Sequence, residues 1–216
     1  SLPEFSRAHR AARAADSAKI PYTLAGLSTV SLEDVAKQSP GLDRWLNFGL
    51  SSDSGYLKAK LDRCAANGFH TLVLSADTRA LGSRERDQRN GFTAPPALTA
   101  SSLFGIARRP GWWVHFLLAD GIRFPNLDPD DTDSSMVTPS MWQQILGHSD
   151  ASRGWDDFEA LRADWPGKIF LKGIVNPADV ARAASIGLDA VQLRSHGARQ
   201  LDHMLSPMDV LEESRQ

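Results

Sequence analysis

Cysteine occurs once in 216 residues, as Cys64, which argues against a disulfide framework and fits a reducing compartment. Charge of one sign is also lacking. The 24 Lys and Arg residues stand against 26 Asp and Glu, for a formal net charge of −2, and no basic block occurs. That balance gives no electrostatic footprint for nucleic acid. No apolar run reaches the ~18 residues that cross a bilayer, and the N-terminal "SLPEFSRAHR" has no signal-peptide core, so the expected address is the cytoplasm. What is present is 42% hydrophobic residues, enough for one large core.

Short apolar runs recur at Ile20–Gly26, Trp45–Leu50, His70–Ala76, Lys168–Ile174 and Asp189–Arg194. Each is too short for a helix and reads as a strand. Helical patterns with start and stop signals lie between them. Ser31 is the expected N-cap over Asp34, "SGYLKAKLDRCAANG" ends at Asn67-Gly68, and in "NPADVARAASIG" Asn176 caps, Pro177 opens and Gly187 closes. Leu57, Leu61 and Cys64 fall on one helical face, so the cysteine is expected to be packing. Strands that alternate with helices and are apolar throughout predict an α/β fold with a parallel sheet, doubly wound or closed as a barrel.

One interval breaks the alternation. No strand pattern appears from Phe92 to Gly154, and an insert or excursion is expected at about 93–154. Within it, Trp112 and Trp113 stand with Phe116, Leu117 and Leu118 in a concentrated apolar patch. This piece reads either as a helix packed on the outside of the sheet or as an interfacial element touching a membrane or a partner.

Chemistry-bearing residues gather where strands end. Asp77 and Arg84 follow the third run, Lys172 sits late in the fourth, and His196 and Arg199 follow the fifth. In parallel α/β folds the C-terminal strand ends line the ligand site, which brings these five residues within reach of one another. Two arginines beside a histidine and an aspartate suit an anionic substrate that gives a proton to the histidine. No metal site is expected.

The ordered segments "SADTRALGSRERDQRNGF", "WPGKIFLKGI" and "SHGARQLD" resemble the FMN-dependent α-hydroxy acid dehydrogenase and oxidase family, over nearly the whole chain. The last segment and the tryptophan-bearing insert look closest to its (S)-mandelate dehydrogenase branch. The resemblance implies an eight-stranded (β/α) barrel, a TIM barrel, with FMN at its mouth. The chain would be a partial barrel, its five parallel strands corresponding to strands 2–6 of the eight. It implies His196 as the active-site base, Asp77 as its carboxylate partner, and Arg84 with Arg199 as the grip on the substrate carboxylate. Lys172 matches the lysine beside the flavin N1 and C2 oxygen, and Ser75 and Asn47 fall at flavin-contacting positions. The implied substrate is a small 2-hydroxy acid, mandelate- or lactate-like, oxidised to the 2-keto acid. The branch also implies a peripheral membrane contact through Trp112 and Trp113.

Several positions depart from the family pattern. Asn47 stands at a glutamine, Gly49 at the active-site tyrosine and Ala25 at a serine. Arg194 and Ser195 replace a serine and an asparagine, while Ser75 keeps a hydroxyl where threonine is common. The first strand and the last two, with their phosphate-binding loops, have no counterpart in the sequence. A family fragment is therefore expected: a truncated reading frame, an incompletely represented chain or a degenerate homologue. Alone, such a chain should bind FMN weakly or not at all, and its exposed strand edges admit a homo-oligomer. The second functional class is a non-catalytic binding module or remnant without flavin.

Overall fold

The caps expected at Ser31 and Asn176 form, and Asp53 adds a third. Ser31 accepts from the Asp34 amide at 3.0 Å, Asp53 from Tyr56 at 2.9 Å and Asn176 from Ala178 at 3.2 Å. The computed structural model describes residues 7–78, 82, 85–90, 100–111, 124–127 and 152–215. Among these the element order is α1 (Arg7–Ala18), β1 (Tyr22–Ala25), α2 (Leu32–Gln38), β2 (Arg44–Phe48), α3 (Ser54–Ala66), β3 (Phe69–Ser75), α4 (Glu85–Arg89), α5 (Ala100–Ala107), α6 (Trp155–Asp164), β4 (Lys168–Ile174), α7 (Pro177–Ser185) and β5 (Ala190–Leu193). The strands form one five-stranded parallel sheet in sequence order, β1-β2-β3-β4-β5. All five strands expected from the sequence are present, with ends shifted by two residues at most. Helix α3 ends at Asn67, followed by Gly68 with φ 70°, and α7 is followed by Gly187 with φ 79°.

Alternation along the strands divides the sheet into two faces. Leu24, Leu46, Leu72, Leu74, Ile169 and Leu171 are fully buried on one face, with Leu32 and Val35 of α2, Cys64 of α3, Leu161 of α6 and Ala183 of α7 in the same core. The opposite face carries Thr23, Ala25, Asn47, Lys172 and Gln192 and stays partly open. There Trp45 and Phe170 meet edge-on with ring centroids 4.9 Å apart, and Val73 is buried on the strand between. Cys64 is packing: it is free and buried, and burial pushes its thiol up to about 12.

Four helices, α1, α4, α5 and α6, go beyond the sequence expectations. Helix α1 lacks a large-residue apolar stripe; it buries Ala12, Ala15 and His9 instead, and its seven alanines and arginines in the first eight positions favour helix without advertising a face. Helix α6 is started by Asp157, whose carboxylate accepts from the Gly154 amide at 2.8 Å.

Most of the 93–154 excursion lies outside the described residues, and so do Trp112 and Trp113. Its described part includes a buried anchor. Asn126, 1% exposed, accepts from the Leu32 amide at 2.9 Å and donates to the Val30 carbonyl at 2.7 Å, beside the start of α2. Arg63 donates to the neighbouring Pro125 carbonyl at 3.3 Å while gripping both carboxylate oxygens of Glu33 at 2.8 and 2.9 Å.

Candidate active site

Parallel β3, β4 and β5 present their C-terminal ends side by side, which gathers residues nearly 120 positions apart in the chain. His196 Nδ1 is hydrogen-bonded to Asp77 Oδ2. Donation from Nδ1–H to the carboxylate leaves Nε2 as the ring's acceptor, and the Lys172 ammonium stands 3.4 Å from that nitrogen. Lys172 also donates to Ser75 Oγ at 3.3 Å. Asn47 continues the series, donating from one amide nitrogen to Ser75 Oγ at 3.1 Å and to the Val73 carbonyl at 2.7 Å. Asp77, His196, Lys172, Ser75 and Asn47 thus form one connected polar group across the sheet.

Backbone geometry holds the group in place. The β4–β5 register shifts between Lys172 and Ile174, and the residue in between, Gly173, has φ 99°. A Cβ built at Gly173 would overlap the carboxyl of Asp77, so only glycine lets that carboxylate lie against β4. The sequence shows this as a lone glycine late in an apolar strand, a signal of close approach. His196 and Ala198 flank Gly197 in a left-handed turn, with φ 49°, 60° and 60°. Two non-glycine residues in that region cost about 1 kcal/mol or more each.

Burial and charge set the electrostatics. Burial lowers the proton affinity of Lys172, the Arg194 charge lowers it further, and Asp77 works in the opposite direction. Among the described ion pairs none involves Lys172. Asp77 Oδ1 is buried without a hydrogen-bond partner among the described residues.

The structure does not join every expected residue to this group. Arg199 lies on the same turn as His196, its amide donating to the His196 carbonyl at 3.3 Å, but it is exposed and its guanidinium enters none of the group's described hydrogen bonds. Arg84 lies outside the described residues. Gly49, at the rim beside Ser75, opens on a cavity of about 190 Å³ lined also by Trp155 and Phe158. A larger cavity of about 770 Å³ lies between α3 and α6 and holds none of the expected site residues.

A family model described as FMN-dependent dehydrogenase matches residues 4–216. The chain belongs to that family. It is 33% identical over 203 residues to (S)-mandelate dehydrogenase of Pseudomonas putida, covering 94% of this chain and 50% of that protein. It is 34% identical over 203 residues to L-lactate dehydrogenase of Yersinia pestis (strain Pestoides F), covering 91% and 51%. The crystal structure of the monotopic membrane protein (S)-mandelate dehydrogenase superposes with a TM-score of 0.83 at 33% identity, over 94% of this chain and 53% of that one. The chain spans about half the length of the relatives it matches, and its five parallel strands are part of their barrel.

The donor set fits the family's cofactor. A groove of about 480 Å³ on the open face is lined by Ala25, Asn47, Phe170, Lys172 and Arg194 among others. It offers an amide, an aromatic ring and a buried ammonium with no carboxylate ion-pair partner among the described residues, next to a small residue that leaves room for a flat ring system.

Proposed function

We propose that the protein oxidises a small 2-hydroxy acid, mandelate- or lactate-like, to the 2-keto acid with FMN. The observation that carries this reading is the Asp77–His196 pair, with the histidine's Nε2 facing Lys172 at 3.4 Å. FMN, when bound, supplies the two-electron acceptor. Asn47, Ser75 and Lys172 would hold it along the strand ends, the lysine placing positive charge where the reduced ring system gathers negative charge.

The remaining work belongs to the chain's own side chains. Asp77 fixes the histidine tautomer, and Nε2 accepts a substrate proton; the resulting imidazolium is stabilised by the carboxylate behind it. Arg199, on the turn that carries His196, and Arg84 are assigned the substrate carboxylate, whose two oxygens suit guanidinium donors. A non-catalytic remnant has less support. Nothing in such a remnant would maintain a left-handed His196 and a half-unpaired buried Asp77, both of which cost stability.

The reading extends to a membrane surface. No described helix is long and apolar enough to cross a bilayer. Helix α5, however, exposes Leu103 at 51% and Phe104 at 66%, followed by exposed Arg108 and Arg109. Apolar side chains flanked by arginines, leading to Trp112 and Trp113, suit peripheral contact with anionic headgroups.

FMN uptake tests the reading. The complete natural polypeptide, purified with excess FMN and desalted, should keep a flavin visible spectrum; a colourless protein contradicts it. Flotation with anionic vesicles should carry the protein, and Trp112→Ala with Trp113→Ala should release it. Absence of flotation in the parent would leave the tryptophans as packing.

A further inference from the structure

Arg194 brings a second cation to the groove that Lys172 lines. Its backbone is fixed, the amide donating to the Ile174 carbonyl at 3.2 Å where β5 ends beside β4. Gln192, two residues earlier, pairs in register with Lys172, and both Gln192 and Arg194 line the groove with Lys172. Two cations therefore share one face. Neither enters a described ion pair, and the Arg194 charge weakens the hold of Lys172 on its proton. Like charges left facing each other call for an anion between them.

We propose that Arg194 is a second cofactor-facing cation that acts with Lys172 to favour the reduced, anionic form of FMN over the oxidised form. The proposal rests on the flavin reading above. Oxidised flavin has a neutral ring system. Gain of two electrons and one proton leaves it with one negative charge, so a cation in the groove binds the reduced form more tightly and raises the midpoint potential. The 2-hydroxy acid supplies two electrons and two protons in this balance: one proton stays with the reduced flavin and the other goes to His196. A neutral side chain at this position would supply no such charge, so Arg194 makes the bound flavin a stronger oxidant.

The test compares the FMN-loaded complete polypeptide with Arg194→Ser and Arg194→Lys, measuring the flavin midpoint potential by equilibration with a reference dye and the affinity for oxidised FMN by fluorescence quenching. Arg194→Ser should lower the ratio of reduced to oxidised affinity about tenfold, equivalent to about 30 mV for a two-electron couple. Arg194→Lys should retain most of the parent value, because the charge and not the guanidinium shape carries the effect. Arg194 is exposed, so neither variant disturbs the core. A potential unchanged by Arg194→Ser, or lowered equally by both variants, overturns the proposal while leaving the flavin reading intact. A parent that takes up no FMN overturns that reading, and this proposal with it.

Discussion

The carboxyl of Asp77 lies against Gly173, in space that any larger residue at position 173 would occupy. That close approach ties the end of β3 to β4 and puts the carboxylate behind His196.

Gly173→Ala should therefore expel Asp77 and release the imidazole from its fixed orientation. Turnover should fall roughly 10²-fold or more while the Michaelis constant changes little, since the lesion touches proton transfer and not carboxylate binding. The backbone at φ 99° adds strain and some loss of stability. Steady-state kinetics alongside thermal melts separate the two effects. A variant that melts early yet turns over at the parental rate per folded molecule would show that Asp77 keeps its place without this contact.

Lys60 presents a second consequence of burial. It lies on α3, 5% exposed, hydrogen-bonded to the Tyr56 hydroxyl, with its ammonium 4.3 Å from the Tyr56 ring and 5.3 Å from that of Phe48. Burial pushes its pKa down to about 8. A lysine whose pKa is lower in the folded chain than in the unfolded one destabilises the fold in its charged form. The cost is full below about 8 and fades as pH rises toward 10.5. Lys60→Met should stabilise the protein by roughly 1–2 kcal/mol at pH 7, the cation–π contacts offsetting part of the desolvation. The gain should shrink by pH 10. Denaturant titrations at both pH values check this, and an equal gain at each would contradict the assigned cause.

Asn126 pins the 124–127 segment of the excursion to the start of α2. Asn126→Ala would leave the Leu32 amide and the Val30 carbonyl without this partner in a buried setting. The expected loss is roughly 2 kcal/mol or more, read from the denaturation midpoint. A loss below about 0.5 kcal/mol, within the range of ordinary surface substitutions, would mean that water replaces the side chain without difficulty.

The sheet was legible because its strands are short apolar runs with Lys172 late in one and Asp77 and His196 just after two others, and the caps were legible because Ser31, Asn176 and Gly187 act locally. Long-range pairings were not. Nothing near Asn126 in the sequence announces that its amide serves Val30 and Leu32, more than ninety residues earlier. Nothing in the sequence marks Lys60 as buried, and only packing against Phe48 and Tyr56 reveals it. Helix α1 hid because alanine carries little hydrophobic signal. At the site, the motif residues Asp77, Lys172 and His196 converge as spacing and resemblance implied, together with Ser75 and Asn47. Arg199 shares their turn without joining their hydrogen bonds, because nothing in sequence fixes the direction of a long exposed side chain.

The central claim is that His196 accepts the substrate proton. Its most direct test is reduction of the bound flavin by (S)-mandelate and by L-lactate under anaerobic stopped flow, comparing the complete polypeptide with its His196→Ala variant at matched FMN occupancy. The variant should keep its flavin and be reduced roughly 10²-fold to 10⁴-fold more slowly. Reduction of the His196→Ala variant at the parental rate would mean that His196 is not the base and that the Asp77–His196 pair is a structural feature.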